Sequence, residues 1–242
     1  MSTDPSTADT VLVAGASGGT GREVLRLLGG VSTVRALTSS PGKRSTLRAA
    51  GADEVVVEDL LDPRDLSRAV QGVDAVVSAV GSSPSEILGS GPFVDGEGNR
   101  RLLEAALGAD VESFVMESAI GVGDSPASPL ASAFNLFIRP IQQAKARAEN
   151  AIRSAPIRHT ILRPGILTNG TRTDAVTVAR PGARLWGAVS RADVARLLAA
   201  APTTPGAVDE TFEVVSRPRF PDRAVSVRWT LPTRERSTAR EP

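Results

Sequence analysis

The 242-residue sequence predicts an α/β fold in three layers, helices on both faces of a doubly wound parallel sheet. Three observations carry that prediction. Short apolar runs alternate with segments of helical periodicity from residue 11 to residue 162. Those runs lack the period-two pattern of a half-exposed strand, as strands buried on both faces do. A glycine-rich turn follows the first run immediately and opens the first helix.

Val11-Leu12-Val13-Ala14 is the first strand, ending in Gly15-Ala16-Ser17-Gly18-Gly19-Thr20-Gly21. Residues 22–28 form the first helix, which stops at Gly29-Gly30. A strand over 31–37, a polar turn and a helix over 43–50 follow. The pattern repeats with a strand at 54–58, proline in the first helical turn at Asp62-Pro63, and a helix over 64–70. A strand over 73–80 ends at Gly81, and a loop of Gly, Ser and Pro runs to Gly91. Then come a helix over 95–107, a strand over 111–117, an irregular stretch over 121–132, a helix over 138–154 and a strand over 157–162. Beyond Arg163 the pattern thins into a small C-terminal extension on the substrate side. It has short strands at 173–178 and 185–189, a helix through Ala200 with Ser190 as its N-cap, and a strand at 211–215. The domain organisation is thus a flexible N-terminus (1–9), one domain (10–215) and an Arg/Pro-rich tail (216–242) read as a surface arm.

Composition narrows the chemistry. There is no cysteine, which removes thiolate nucleophiles and disulfides, and with one histidine, His159, no metal site is expected. There is no tyrosine, so no phenol can act as an acid. The net charge of +1 gives no field for nucleic acid or an anionic membrane. Residues 1–9 lack the apolar core of a secretory signal, and no run is long enough to span a bilayer. A cytoplasmic protein with a small-molecule substrate is expected.

A strand, a GxxGxxG turn and a helix in succession form a dinucleotide-binding arrangement. Gly15 permits the tight turn, Gly18 lets backbone approach a pyrophosphate, and Gly21 lets helix and sheet pack closely. Ser17, Gly19 and Thr20 complete the turn, and the helix N-terminus favours phosphate. An NAD site usually carries Asp or Glu at the end of the second strand. Here Thr38, Ser39 and Ser40 stand there, with Lys43 and Arg44 beyond them. Hydroxyl donors and cations without a carboxylate favour NADP(H) over NAD(H).

The runs VAGASGGTGREV, VVVEDLLDP, DAVVSAVGS, VDGEGNRRLLEAA, FVMESAIGVGDSP and TILRPGILTNG resemble the atypical short-chain dehydrogenase/reductases. The nearest resemblance is to the NmrA-like branch that includes biliverdin-IXβ (flavin) reductase-like proteins, over about residues 10–200. That resemblance implies a Rossmann fold and further cofactor positions. Asp59 and Leu60 would meet the adenine, and Ala79, Val80 and Gly81 would pass under its ribose. Ser118 would lie beside the nicotinamide and Lys145 would reach its ribose. The backbone after Pro164, at Gly165 and Ile166, would face the carboxamide. The tyrosine that common members place four residues before the lysine is replaced by Ile141. Acceptors that take their proton from water once reduced, such as flavins and quinones, suffer least from that loss.

Glu117 interrupts an apolar strand just before Ser118. It is a candidate proton donor with a pKa raised by burial, a partner for a cationic substrate group, or a structural partner of Lys145 or Arg163. Residues 125–139, with Phe134, Leu136 and Phe137, are a candidate substrate lid, whereas His159 and Trp186 read as structural. The expected function is an NADP(H)-dependent oxidoreductase of a small conjugated or carbonyl acceptor, with Ser118, Lys145 and Glu117 at the reacting end. A non-catalytic dinucleotide sensor or assembly factor is the alternative, and a non-redox isomerase or lyase is compatible with the same scaffold.

Overall fold

The computed structural model describes residues 8–82, 92–122, 139–183, 185–218 and 223–233. Most of the expected lid, 125–138, lies outside them. In chain order the strands are β1 (Thr10–Ala14), β2 (Thr33–Thr38), β3 (Glu54–Val57), β4 (Ala75–Ser78), β5 (Ser113–Glu117), β6 (Arg158–Pro164), β7 (Ile166–Thr168), β8 (Val176–Ala179), β9 (Ala188–Ser190), β10 (Glu210–Ser216) and β11 (Ala224–Val225). The helices are α1 (Gly19–Leu28), α2 (Arg44–Ala49), α3 (Ser67–Val70), α4 (Asn99–Gly108), α5 (Arg139–Ser154) and α6 (Arg191–Ala200).

Nine strands form one sheet in the order β11-β8-β10-β6-β5-β4-β1-β2-β3. The run from β3 to β10 is parallel throughout. β8 then pairs antiparallel with both β10 and β11. Strand order reverses between β1 and β4, and open α/β sheets bind ligands at such a switch, beyond the carboxyl ends of the strands. β7 and β9 make a separate parallel pair, the small extension on that side.

Two apolar layers sandwich the sheet. On one face Val11, Val13, Val77 and Val115 meet Val24, Leu25 and Leu28 of α1 and Val194 and Leu198 of α6. On the other, Leu12, Val76, Phe114 and Ile161 meet Leu102 and Ala106 of α4 and Ala148 and Ile152 of α5. Each buried side chain of this size is worth about 1.5–3 kcal/mol, so both faces of the sheet contribute to stability. Ser190 caps α6 as expected, its hydroxyl accepting from the Asp193 amide at 3.0 Å.

Two expectations are corrected. The helix expected over 64–70 begins only at Ser67, because the Asp65 carboxylate accepts the Ser67 amide in a turn at 3.0 Å. The tail is no surface arm where it is described. β11 extends the sheet, Val227, Trp229 and Leu231 pack on the core, and the Trp229 ring meets Phe212 edge-on with centroids 5.8 Å apart. Thr230 is pinned at both its amide and its carbonyl by Thr204 and Thr203.

Candidate functional site

The glycine turn is built as its spacing implied. Gly15 has φ +70°, and a Cβ there would strike the Ala79 carbonyl, so only glycine lets β1 turn this close to β4. A Cβ on Gly21 would strike Gly15, which fixes how tightly α1 packs. The amides of the first turn of α1 have no partner within the helix, and no side chain caps Gly18.

A cleft of about 280 Å³ opens at the carboxyl ends of β1 to β4. Of the residues expected to hold a dinucleotide, Gly15, Ser17, Gly18, Thr38, Ser39, Asp59, Leu60, Ala79, Val80 and Gly81 line it together. Leu37, Glu58, Leu61 and Val94 also line it and escaped sequence reasoning, since nothing in their types marks them out. Thr38 donates to the Ser17 hydroxyl at 3.3 Å and accepts the Ser40 amide at 3.2 Å. Ser40, Lys43 and Arg44 are not in the lining. Arg44, just after the short turn Pro41–Lys43, donates instead to the Val55 carbonyl at 3.0 Å.

Beyond Gly18 the wall becomes charged. Lys145, buried on α5, pairs with the equally buried Asp95 at 2.8 Å. Asp95 stands in a π turn, Val94–Gly98, that leads into α4 in place of the regular helix expected from residue 95. Gly96 brings that turn against Ala144, and Asn99 donates back to the Asp95 carbonyl at 2.9 Å. Asp95 also accepts the amide and hydroxyl of Ser82. Burial works to raise its pKa, but the Lys145 charge and these hydrogen bonds outweigh it and hold the carboxyl below its usual range. Ile141, at the position of the missing tyrosine, is buried and apolar.

Among the described residues Glu117 pairs with neither lysine nor arginine as a contact ion pair. It accepts from the Thr20 hydroxyl at 3.1 Å, directly behind the glycine turn. Burial pushes its pKa up, opposed by Lys145, Thr20 and Arg191 and reinforced by Asp95. Arg163 instead grips Glu149 on α5 with two bonds, at 2.9 and 2.5 Å, and Ser118 donates to the same carboxylate at 2.6 Å. The hydroxyl hydrogen of Ser118 is therefore committed to Glu149. Glu213 on β10 lies next to this cluster, one of its oxygens without a hydrogen-bond partner among the described residues, and burial pushes it up to about 7. The spacing of Lys145 and Glu149, one helical turn apart, was the signal that could have brought Glu149 into view.

Two further residues depart from expectation. The amides of Gly165 and Ile166 bond the carbonyls of Val214 and Gly187, leaving no donor there for a carboxamide, because Gly165 is packed against the Gly187 carbonyl. What this segment offers is the side chain of Ile166, which is 51% exposed, an apolar surface after Pro164. Arg191, which sequence reasoning did not single out, lies across Gly19, where a Cβ would come within 2.5 Å of its Cδ. His159 sits at the opposite, amino end of β6 beside Asp209, outside this edge.

Among the described residues, no helix is long and apolar enough to cross a membrane. The model of a family described as NAD(P)H-binding matches residues 15–205. An uncharacterized sugar epimerase, YhfK, of Bacillus subtilis (strain 168) is 29% identical over 192 residues, spanning 78% of this chain and 86% of that protein. A (4-alkanoyl-5-oxo-2,5-dihydrofuran-3-yl)methyl phosphate reductase of Streptomyces griseus is 31% identical over 179 residues, 74% of this chain and 54% of the reductase. The solved structure of a putative NAD-dependent epimerase/dehydratase from Bacillus halodurans superposes with TM-score 0.74 at 29% identity, covering 86% of this chain and 94% of that one. With the glycine turn, the switch-point cleft and the buried lysine in place, the chain belongs to the NAD(P)H-binding Rossmann-fold family and is an atypical short-chain dehydrogenase/reductase.

Proposed function

We propose that the protein is an NADP(H)-dependent reductase of a small conjugated or carbonyl acceptor, of the flavin or quinone kind. The observation that carries this reading is the Lys145–Asp95 pair. A buried lysine is paired with a buried aspartate although the tyrosine it would normally serve is replaced by Ile141. The residues fit a dinucleotide: the cradle at Gly15 would be filled by any Cβ, and the unpartnered amides of α1 supply phosphate donors. Thr38 and Ser39, with no carboxylate at the end of β2, favour the 2′-phosphorylated cofactor.

When bound, the cofactor supplies a hydride. The chain's own contribution is placement and charge. Lys145 places a positive charge beside the reacting end, where negative charge develops on a reduced acceptor. Ser118, with its hydrogen given to Glu149, presents lone pairs and acts as an acceptor, not as an acid. Glu117, whose pKa burial pushes up, is the candidate proton donor at the same edge, and water supplies the remainder. Ile166 gives a flat acceptor an apolar surface. The Streptomyces reductase acts on a conjugated lactone bearing a phosphate ester, which supports this substrate class.

A second reading has its own support. Lys145 and Ser118 are both tied into intramolecular bonds, as in a protein that only senses the cofactor. One experiment separates the two. NADPH and NADH binding is followed by cofactor fluorescence, and FMN, a quinone and an aromatic aldehyde are then added while reduced nicotinamide absorbance is recorded. Binding with consumption is expected. Binding without consumption on any acceptor favours the sensor, and failure to bind either cofactor overturns both. Glu117→Gln should reshape the pH profile of turnover, and an unchanged profile would remove Glu117 from the chemistry.

A further inference from the structure

We propose that Arg191 is a clamp for the dinucleotide pyrophosphate, closing over the glycine turn to take an oxygen of the nicotinamide-side phosphate. The inference rests on the dinucleotide reading above and adds a residue to it. Arg191 is the first residue of α6, yet its side chain lies across the start of α1. A Cβ on Gly19 would come within 2.5 Å of its Cδ and 2.8 Å of its Nε, so the third glycine of Gly15-x-x-Gly18-Gly19 makes room for an arginine.

The guanidinium there makes no contact ion pair among the described residues. Its bonds are to neutral acceptors, the Asn169 side chain at 2.8 Å and the Leu167 carbonyl at 3.4 Å, both through Nη1. Glu117 lies within its electrostatic reach but makes no contact pair with it, and burial pushes the Glu117 pKa up. Asn169 and Leu167 therefore orient the fork without neutralising it, and leave Nη2 and Nε for a ligand.

Position selects the ligand. Gly18 lines the cleft, Gly19 lies against the Arg191 side chain, and Thr20 next to it donates to Glu117, the neighbour of Ser118. A cofactor that fills the cleft and reaches those residues must cross Gly18 and Gly19, with helix amides on one side of its phosphates and Arg191 on the other. A guanidinium and helix amides converging on one phosphate give a charge-assisted, two-sided grip.

The test compares NADPH with adenosine 2′,5′-bisphosphate, which lacks the nicotinamide-side phosphate, in wild type, Arg191→Gln, Arg191→Lys and Gly19→Ala. Dissociation constants come from cofactor fluorescence and calorimetry, and thermal melting checks that each variant is folded. Arg191→Gln should weaken NADPH by about tenfold or more and leave the bisphosphate within about twofold. Arg191→Lys should restore part of the loss. Gly19→Ala should reproduce it by displacing the arginine, and should add little in the double variant. Unchanged NADPH affinity in Arg191→Gln overturns the clamp. So does equal weakening of both ligands, since that is a collapsed turn. If wild type binds no NADPH, the cofactor assignment itself fails and the clamp falls with it.

Discussion

Where β1 and β4 part, the cleft presents backbone, glycine and hydroxyl groups, with Glu58 and Asp59 on its wall. Where β5, β6 and β10 end, it sets two buried ionic contacts, Asp95–Lys145 and Glu149–Arg163, and two carboxyls raised by burial, Glu117 and Glu213. The first region is shape: Gly15 and Gly21 are fixed by contacts a Cβ would break. The second is charge, and each charge is held by a partner distant in sequence, such as Asp95 for Lys145. A region of shape fails first with added volume. A region of paired charges fails first with a lost partner.

The largest effect should come from Glu149→Ala. It leaves Arg163 buried without its carboxylate, for an expected loss of about 3–5 kcal/mol in urea unfolding. A loss below about 1 kcal/mol would mean that Arg163 re-pairs with Glu213 and that the cluster is redundant. Next is the Glu213 carboxyl. Its folded pKa of about 7 lies above the ordinary 4.5, so its protonated form favours folding. That contribution is complete below pH 4.5 and lost as pH rises through 7. At about 1.4 kcal/mol per unit, the ionised group costs about 3 kcal/mol at pH 8. Glu213→Gln should therefore be more stable than wild type at pH 8 and nearly equal to it at pH 5. A stability difference that stays constant with pH would refute the assignment. The smallest effect belongs to the other region. Ser39→Asp should weaken NADPH about tenfold by repelling its 2′-phosphate, with NADH little changed. Equal effects on both would argue against a 2′-phosphate at Ser39.

The same contrast decides what could be read from the sequence. Strand and helix order and the glycine turn were legible because each is written in consecutive residues. Arg44 was read as facing the site from its place in the sequence, but after the turn at Pro41–Lys43 it donates to the Val55 carbonyl. Glu117 was recognised as odd, but its partner, Thr20, comes from the first helix and no spacing announces it. The tail was misjudged against a visible signal: Val225, Val227, Trp229 and Leu231 alternate with polar residues, the pattern of an extended segment with one buried side. Arginine and proline content hid it.

The π turn at Val94–Gly98 has a bearing on how this site arose. A π turn holds one residue more than an α turn, and each residue of an α-helix advances the side chain by about 100°. Deleting one residue between Asp95 and Asn99 would restore a regular helix and swing the aspartate a quarter-turn off the lysine. No point substitution achieves that. Among relatives, the extra residue and the acidic partner of the lysine are expected to be kept together or lost together, which an alignment of their sequences around this turn would check.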